Sequence, residues 1–139
     1  MTASDDRALE IKVGVGLLLT LIIVVFLAGY WASEPGRQEA AAAKFKHEAM
    51  ERGAEYYVEI CAQCHGDAGQ GLVGPALKGS ALDARPLERI IARGKPGTAM
   101  PAWGDEDGGP LKPNQVRDLV IFIQNWDTSL LVKSTKGPH

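Results

Sequence analysis

From Val13 to Ser33 the chain reads VGVGLLLTLIIVVFLAGYWAS, an apolar run without a single charge. Coiled into a helix at about 1.5 Å per residue it spans about 30 Å, the thickness of a bilayer's hydrocarbon core. Tyr30 and Trp31 close the run where an interfacial aromatic pair belongs, and Lys12 and Glu34 bracket it. The competing reading is a cleavable signal peptide, which wants a basic start, a shorter apolar stretch and a small-x-small cleavage site. This start carries Asp5, Asp6 and Glu10, and no clean cleavage site lies near Trp31, so the pattern predicts a retained anchor over residues 13–33. The flanking basic residues, Arg7 and Lys12 against Arg37, Lys44 and Lys46, do not decide its orientation.

Beyond the run, Pro35 and Gly36 are expected to break or bend the helix. Gln38 to Ile60 lacks proline and is rich in Ala, Glu, Lys and Arg, which predicts one long helix weakened at Gly53. Ala41, Phe45, Ala49 and Met50 give its first half a narrow apolar stripe, which either packs on the chain's own domain or docks a partner. GDAGQGLVGPALKG (66–79) is too glycine-rich for a regular element and reads as a loop. Leu87 to Arg93 predicts a short helix with Leu87, Ile90 and Ile91 inward, stopped by Gly94 and Pro96. KPGTAMPAWGDEDGGP (95–110) is a second glycine and proline loop. Val116, Leu119, Val120, Ile123 and Trp126 mark one face of a last helix from about Pro113 to Trp126. No strand pattern competes, and the chain reads as all-α. After Leu130, Leu131 and Val132 the end is polar and expected to be mobile.

With 139 residues, part of them in the apolar run, there is room for one modest soluble domain. Seventeen acidic residues against fifteen basic ones argue against nucleic acid as the partner. Both cysteines lie in CAQCHG (61–66), too close together to favour a disulfide. Residues three and four apart share a helix face, so Cys61, Cys64 and His65 project toward one object. Tetrahedral zinc fits them poorly, since His65 is adjacent to Cys64 and the other histidines are His47 and His139. A thioredoxin-like pair wants a strand-led context that the chain lacks. The motif favours c-type haem, with two thioethers from Cys61 and Cys64 and His65 as an iron ligand.

From Gly53 to Asp127 the chain resembles the class I cytochromes c. Gly53, Tyr57 and Cys61 match the glycine, aromatic and cysteine spacing of that family's first helix, where the glycine lets the last helix cross closely. Leu119 and Phe122 stand where the last helix supplies its side of the crossing. GPAL, Gly74 to Leu77, resembles the loop whose proline carbonyl accepts a hydrogen bond from the proximal histidine, which gives that part to Pro75. MPAW, Met100 to Trp103, resembles the segment carrying the distal ligand, which makes Met100 the second axial ligand beside His65. Met50, upstream of the cluster, competes poorly. Pro75, Leu77 and Trp103 are then the haem surroundings. One departure is Lys112, which precedes Pro113 where the family has a polar cap and so predicts a less firm helix start.

The resemblance implies one covalent haem c in a small domain, electron transfer and no catalysis of its own, since His65 and Met100 fill both axial positions. A domain of this size depends on the haem for its core, so the apo form is expected to fold poorly. It further implies residues 1–12 in the bacterial cytoplasm, an anchor at 13–33, a helical stalk at 34–52, a cytochrome domain at 53–128 on the periplasmic or outer face, and a tail at 129–139. Expected partners are a quinol-oxidising membrane complex and a downstream acceptor: a terminal oxidase, a soluble carrier or a reaction centre. The chain is expected to be a subunit, as in alternative complex III or an oxidase. The alternatives are a haem sensor or peroxidase-like enzyme in which Met100 leaves the iron, and a colourless zinc-binding module. Lys78, Arg85, Arg89, Arg93 and Lys95 form either a solvated surface or a docking face for an acidic redox partner. Asp105, Glu106 and Asp107 lack the regular spacing of a calcium loop.

Overall fold

The computed structural model describes residues Ala3 to Ser134, with side chains from Arg7 onward. The polar end 135–139, including His139, lies outside the described residues, as do the side chains of Asp5 and Asp6. Among the described residues the chain is helical: α1 (Ala3–Tyr56), a π turn (Tyr57–Cys61), α2 (Ala62–His65), α3 (Ala84–Arg93), a 3-10 turn (Asp105–Asp107), α4 (Pro113–Gln124) and α5 (Thr128–Ser134). No strand forms among them; a single bridge joins Gly104 to Leu111. Two compact units result, one up to Ala43 and one from Lys44.

In the first unit the apolar run of α1 has no protein cover. Leu17, Phe26 and Trp31 are 67, 75 and 79% exposed. By length and composition the helix can span a membrane. Its hydroxyls bond within the helix, Thr20 Oγ1 to the Gly16 carbonyl and Ser33 Oγ to that of Tyr30, both at 2.9 Å. Pro35 does not end the helix as expected. Its ring removes one backbone donor, but Glu34 ties the following turn together by accepting from Arg37 Nη2 at 2.8 Å and Gln38 Nε2 at 3.0 Å.

In the second unit Tyr57, Phe122, Leu119 and Val116 are the largest fully buried side chains. The end of α1 meets α4 at Gly53. A Cβ there would lie 2.3 Å from the Asp118 carbonyl oxygen and 2.7 Å from Phe122 Cβ, so hydrogen alone permits the approach. Beside it Arg52 Nε donates to Asp118 Oδ2 at 2.7 Å, which pairs an otherwise buried carboxylate. α3 buries Leu87 and Ile91 and packs on α4. It begins at Ala84, earlier than its apolar spacing indicates.

Four expectations change. The stripe on α1 divides: Ala49 is buried, Met50 packs against the core, and Phe45 is 63% exposed. α4 starts firmly, because Gln115 Oε1 accepts from the Lys112 N–H at 2.7 Å and Lys112 Nζ reaches Asp105 Oδ2 at 2.9 Å. α4 stops at Gln124, and Trp126 follows it as a half-buried ring. Leu130 and Leu131 belong to the core through α5.

Candidate functional site

α1 does not run as a regular helix into the cysteine cluster. The π turn Tyr57–Cys61 intervenes before α2. Such a wide turn shifts the register of everything after it, and π turns concentrate at functional sites. The result sorts the three side chains by depth: His65 is buried, Cys61 half-buried and Cys64 exposed. Both thiols are free, and burial, with a smaller contribution from Cys64, pushes the Cys61 thiol up to about 12.

At Gly66 the chain leaves the helix with φ +85°, a conformation favouring glycine, and folds back under the histidine. The Gly71 N–H donates to the His65 carbonyl and the Gly74 N–H to that of Cys64, each at 2.8 Å. These bonds press the loop against the imidazole so closely that a Cβ on Gly74 would lie 2.7 Å from His65 Cε1. The next residue supplies the acceptor: His65 Nδ1 bonds the Pro75 carbonyl oxygen at 2.7 Å. A carbonyl only accepts, so the proton sits on Nδ1 and the lone pair is left on Nε2. That is the tautomer a metal requires.

Tyr57 supports this loop from behind. Its hydroxyl donates to the Gly66 carbonyl, and its ring meets Trp126 edge-on at 5.0 Å between centroids and Phe122 at 5.8 Å. Trp126 in turn lies on Gly69, where a Cβ would fall 2.2 Å from its ring. Burial raises the Tyr57 phenol to about 12. The spacing of Gly53, Tyr57 and Cys61 pointed to the aromatic but carried no sign of the hydroxyl bond, the π turn or the Arg52–Asp118 pair.

Met100 comes from the second loop. The Lys95 N–H donates to the Met100 carbonyl at 3.2 Å, and Trp103 and Gly104 donate to the carbonyls of Ile91 and Ala92 at 3.1 and 2.9 Å. Met100, Trp103, Leu77 and Cys61 are partly buried against the same core cluster. Leu72 and Val73, on the first loop, are 68 and 83% exposed. Within the acidic stretch 105–107, Asp105 pairs with Lys112 and Asp107 lies 3.8 Å from Arg93.

These residues fit a haem. The imidazole is fixed by one nitrogen and open at the other, two unpaired thiols lie beside it, and a glycine keeps its ring clear. A thioether, Met100, and two apolar side chains, Leu77 and Trp103, stand half-buried on the same core. No solved structure matches the chain. Cytochrome c55X of Stutzerimonas stutzeri is 48% identical over 49 residues, 33% of this chain and 43% of that protein. Cytochrome c55X of Pseudomonas aeruginosa is 39% identical over 59 residues, 37% of this chain and 50% of that one. The chain thus spans about half the length, or less, of these curated relatives. The family described as cytochrome C oxidase, cbb3-type, subunit III matches residues 48–123, which hold the cysteine cluster, both loops and most of α4. More than half of the chain lies in that match, and the protein belongs to this family of c-type cytochromes.

Proposed function

We propose that the protein is a membrane-anchored cytochrome with one covalently bound haem c, attached through Cys61 and Cys64 and ligated by His65 and Met100. The observation that carries this reading is the 2.7 Å bond from His65 Nδ1 to the Pro75 carbonyl, made next to two free thiols. The bound group supplies an iron atom that takes up and returns one electron. The Pro75 carbonyl would hold the Nδ1–H of His65 and so leave Nε2 as the nitrogen available to the metal. As a ligand, the soft thioether of Met100 would favour the reduced metal and raise the potential. With both His65 and Met100 bound to it, the group would offer no open position, which suits electron transfer and opposes ligand chemistry. Leu77 and Trp103 would form part of the haem surroundings.

In this reading residues 1–12 are cytoplasmic, 13–33 cross the bacterial membrane, 34–52 form the stalk, 53–128 form the haem domain on the periplasmic or outer face, and 129–139 form the tail, whose first part is α5. Electrons pass from a quinol-oxidising membrane complex to an acceptor such as a terminal oxidase, a soluble carrier or a reaction centre. The protein acts as a subunit of such a complex. The uncovered Phe45 and the exposed Lys78, Arg85, Arg89, Arg93 and Lys95 support association with other proteins.

Replacing Met100 with alanine in the haem-loaded full chain tests the ligand assignment. The sulfur-to-iron charge-transfer band of the oxidised protein should vanish, the potential should fall, and the reduced protein should bind carbon monoxide. An unchanged band overturns the choice of Met100. Rapid stoichiometric carbon monoxide uptake by the unsubstituted protein at neutral pH overturns the closed site.

A further inference from the structure

The segment from Gly94 to Pro101 is more tightly organised than its loop composition requires. Lys95-Pro96-Gly97-Thr98 forms a β-turn in which the Thr98 N–H donates to the Lys95 carbonyl at 3.1 Å. Proline and glycine as its central residues, with Gly97 at φ +77°, follow the type II pattern. The Thr98 hydroxyl donates to the same carbonyl at 2.7 Å and accepts from the Met100 N–H at 3.3 Å. The Lys95 N–H then bonds the Met100 carbonyl at 3.2 Å. Both backbone polar groups of Met100 are therefore engaged in one six-residue ring, with Pro101 restricting the backbone just beyond it.

That ring is seated on the end of α3 at Gly94. Gly94 has φ +69°, and a Cβ there would lie 2.6 Å from the Pro101 carbonyl carbon and 2.7 Å from the Met100 carbonyl oxygen. The obstacle is backbone on both counts, so no rotamer change relieves it. Above Gly94 the bonds from Trp103 and Gly104 to Ile91 and Ala92 continue the seam. α3 is itself held by Leu87 and Ile91 in the core, so the place of the Met100 backbone is referred to the body of the domain.

We propose that Gly94 and Thr98 are positioning residues for Met100: the ring and its glycine seat preset the thioether for the iron and set how readily an outside ligand displaces it. This rests on Met100 being the axial ligand. Neither residue touches the iron; both act through the Met100 backbone.

The test uses the haem-loaded full chain and two readouts that general destabilisation does not mimic: the sulfur-to-iron band, and the affinity of the oxidised protein for added imidazole. Gly94→Ala should weaken the band and bind imidazole at least about tenfold more tightly. Gly108→Ala is the control, since Gly108 also has positive φ (+88°) but open space where a Cβ would go; it should leave band and affinity unchanged. If Gly94→Ala does not fold, Thr98 decides. Thr98→Val removes the hydroxyl at constant shape on an exposed side chain and should raise imidazole affinity about fivefold, while Thr98→Ser should restore the original value. Imidazole binding in Gly94→Ala and Thr98→Val equal to that of the unsubstituted protein would overturn the proposal. A band that survives Met100→Ala removes the ligand assignment itself, an outcome distinct from failure of the mount alone.

Discussion

The best-determined side chain in the domain is Tyr57, which sits where three constraints meet. Its ring is fully buried between Phe122 and Trp126, its hydroxyl bonds the Gly66 carbonyl, and it opens the π turn that leads to Cys61. Burial is the largest cause lifting its phenol from 10.0 to about 12, with Cys61 and Asp67 adding to it. The folded state therefore favours the neutral phenol. The stability this confers is complete below pH 10, where the unfolded chain is also protonated, and is lost as pH rises from there through about 12. Guanidinium unfolding of the haem-loaded protein between pH 9 and 12 should show this loss, and Tyr57→Phe should flatten it. Equal pH slopes in the two proteins would show that the phenol has an ordinary environment. At this scale the sequence was most legible where chemistry constrains spacing. The spacing of Cys61, Cys64 and His65 stands out in the sequence, and His65 Nδ1 bonds the Pro75 carbonyl as the resemblance implies. The hydroxyl of Tyr57, the Asp118 carboxylate and the capping role of Gln115 did not declare themselves, because each depends on a partner brought near only by folding.

Among the elements, periodicity located α3 and α4 and missed α5. The α4 face is long enough for Val116, Leu119, Val120 and Ile123 to recur at helical offsets, and all four are buried. Leu130, Leu131 and Val132 span less than one turn and cannot establish a period. The missed signal was the cap: Asp127 Oδ1 accepts from the Ser129 N–H at 2.9 Å and from Ser129 Oγ at 2.7 Å, which turns the chain into a helix. The same bonds lower the Asp127 carboxyl below its ordinary range. Pro35 is the opposite case, a breaker by composition that α1 absorbs through side-chain bonds on Glu34. α5 lies beyond the family match at 48–123 and reaches back to α1 through Lys133 and Glu51. Its hold is apolar rather than ionic, since Leu130 and Leu131 are buried whereas Lys133 is 72% exposed at the side chain. Leu131→Ala should cost about 2–3 kcal/mol in guanidinium unfolding, and Lys133→Ala should leave the midpoint unmoved. A larger shift for Lys133→Ala than for Leu131→Ala would reverse that order.

Taken as a whole molecule, the chain is nearly neutral but not evenly so. Its formal charge is −2, yet Lys78 to Lys95 contains five basic residues and two acidic ones, a local excess of three positive charges. Arg85, Arg89 and Arg93 recur every four residues along α3 and are all exposed, on the side away from the buried Leu87 and Ile91. Arg93 is drawn toward Asp107, whereas no ion pair occupies Arg85 or Arg89 among the described residues. The major acids facing other cations are already committed, Asp118 to Arg52, Asp105 to Lys112 and Glu51 to Lys133. A positive face on a weakly negative protein acts locally, because charges further away than about 10 Å are screened at 0.1 M salt. Its consequence is kinetic: it favours encounters with an acidic protein and loses that advantage as salt is added. Stopped-flow electron exchange with an acidic redox protein should therefore slow about fivefold between 10 and 200 mM salt. Arg85→Glu combined with Arg89→Glu should abolish or invert the dependence without altering the visible spectrum, since neither side chain lies on the loops that carry Pro75 and Met100. Rates independent of salt in the unsubstituted protein would mean that this face is only solvated surface, and that partners meet the domain elsewhere.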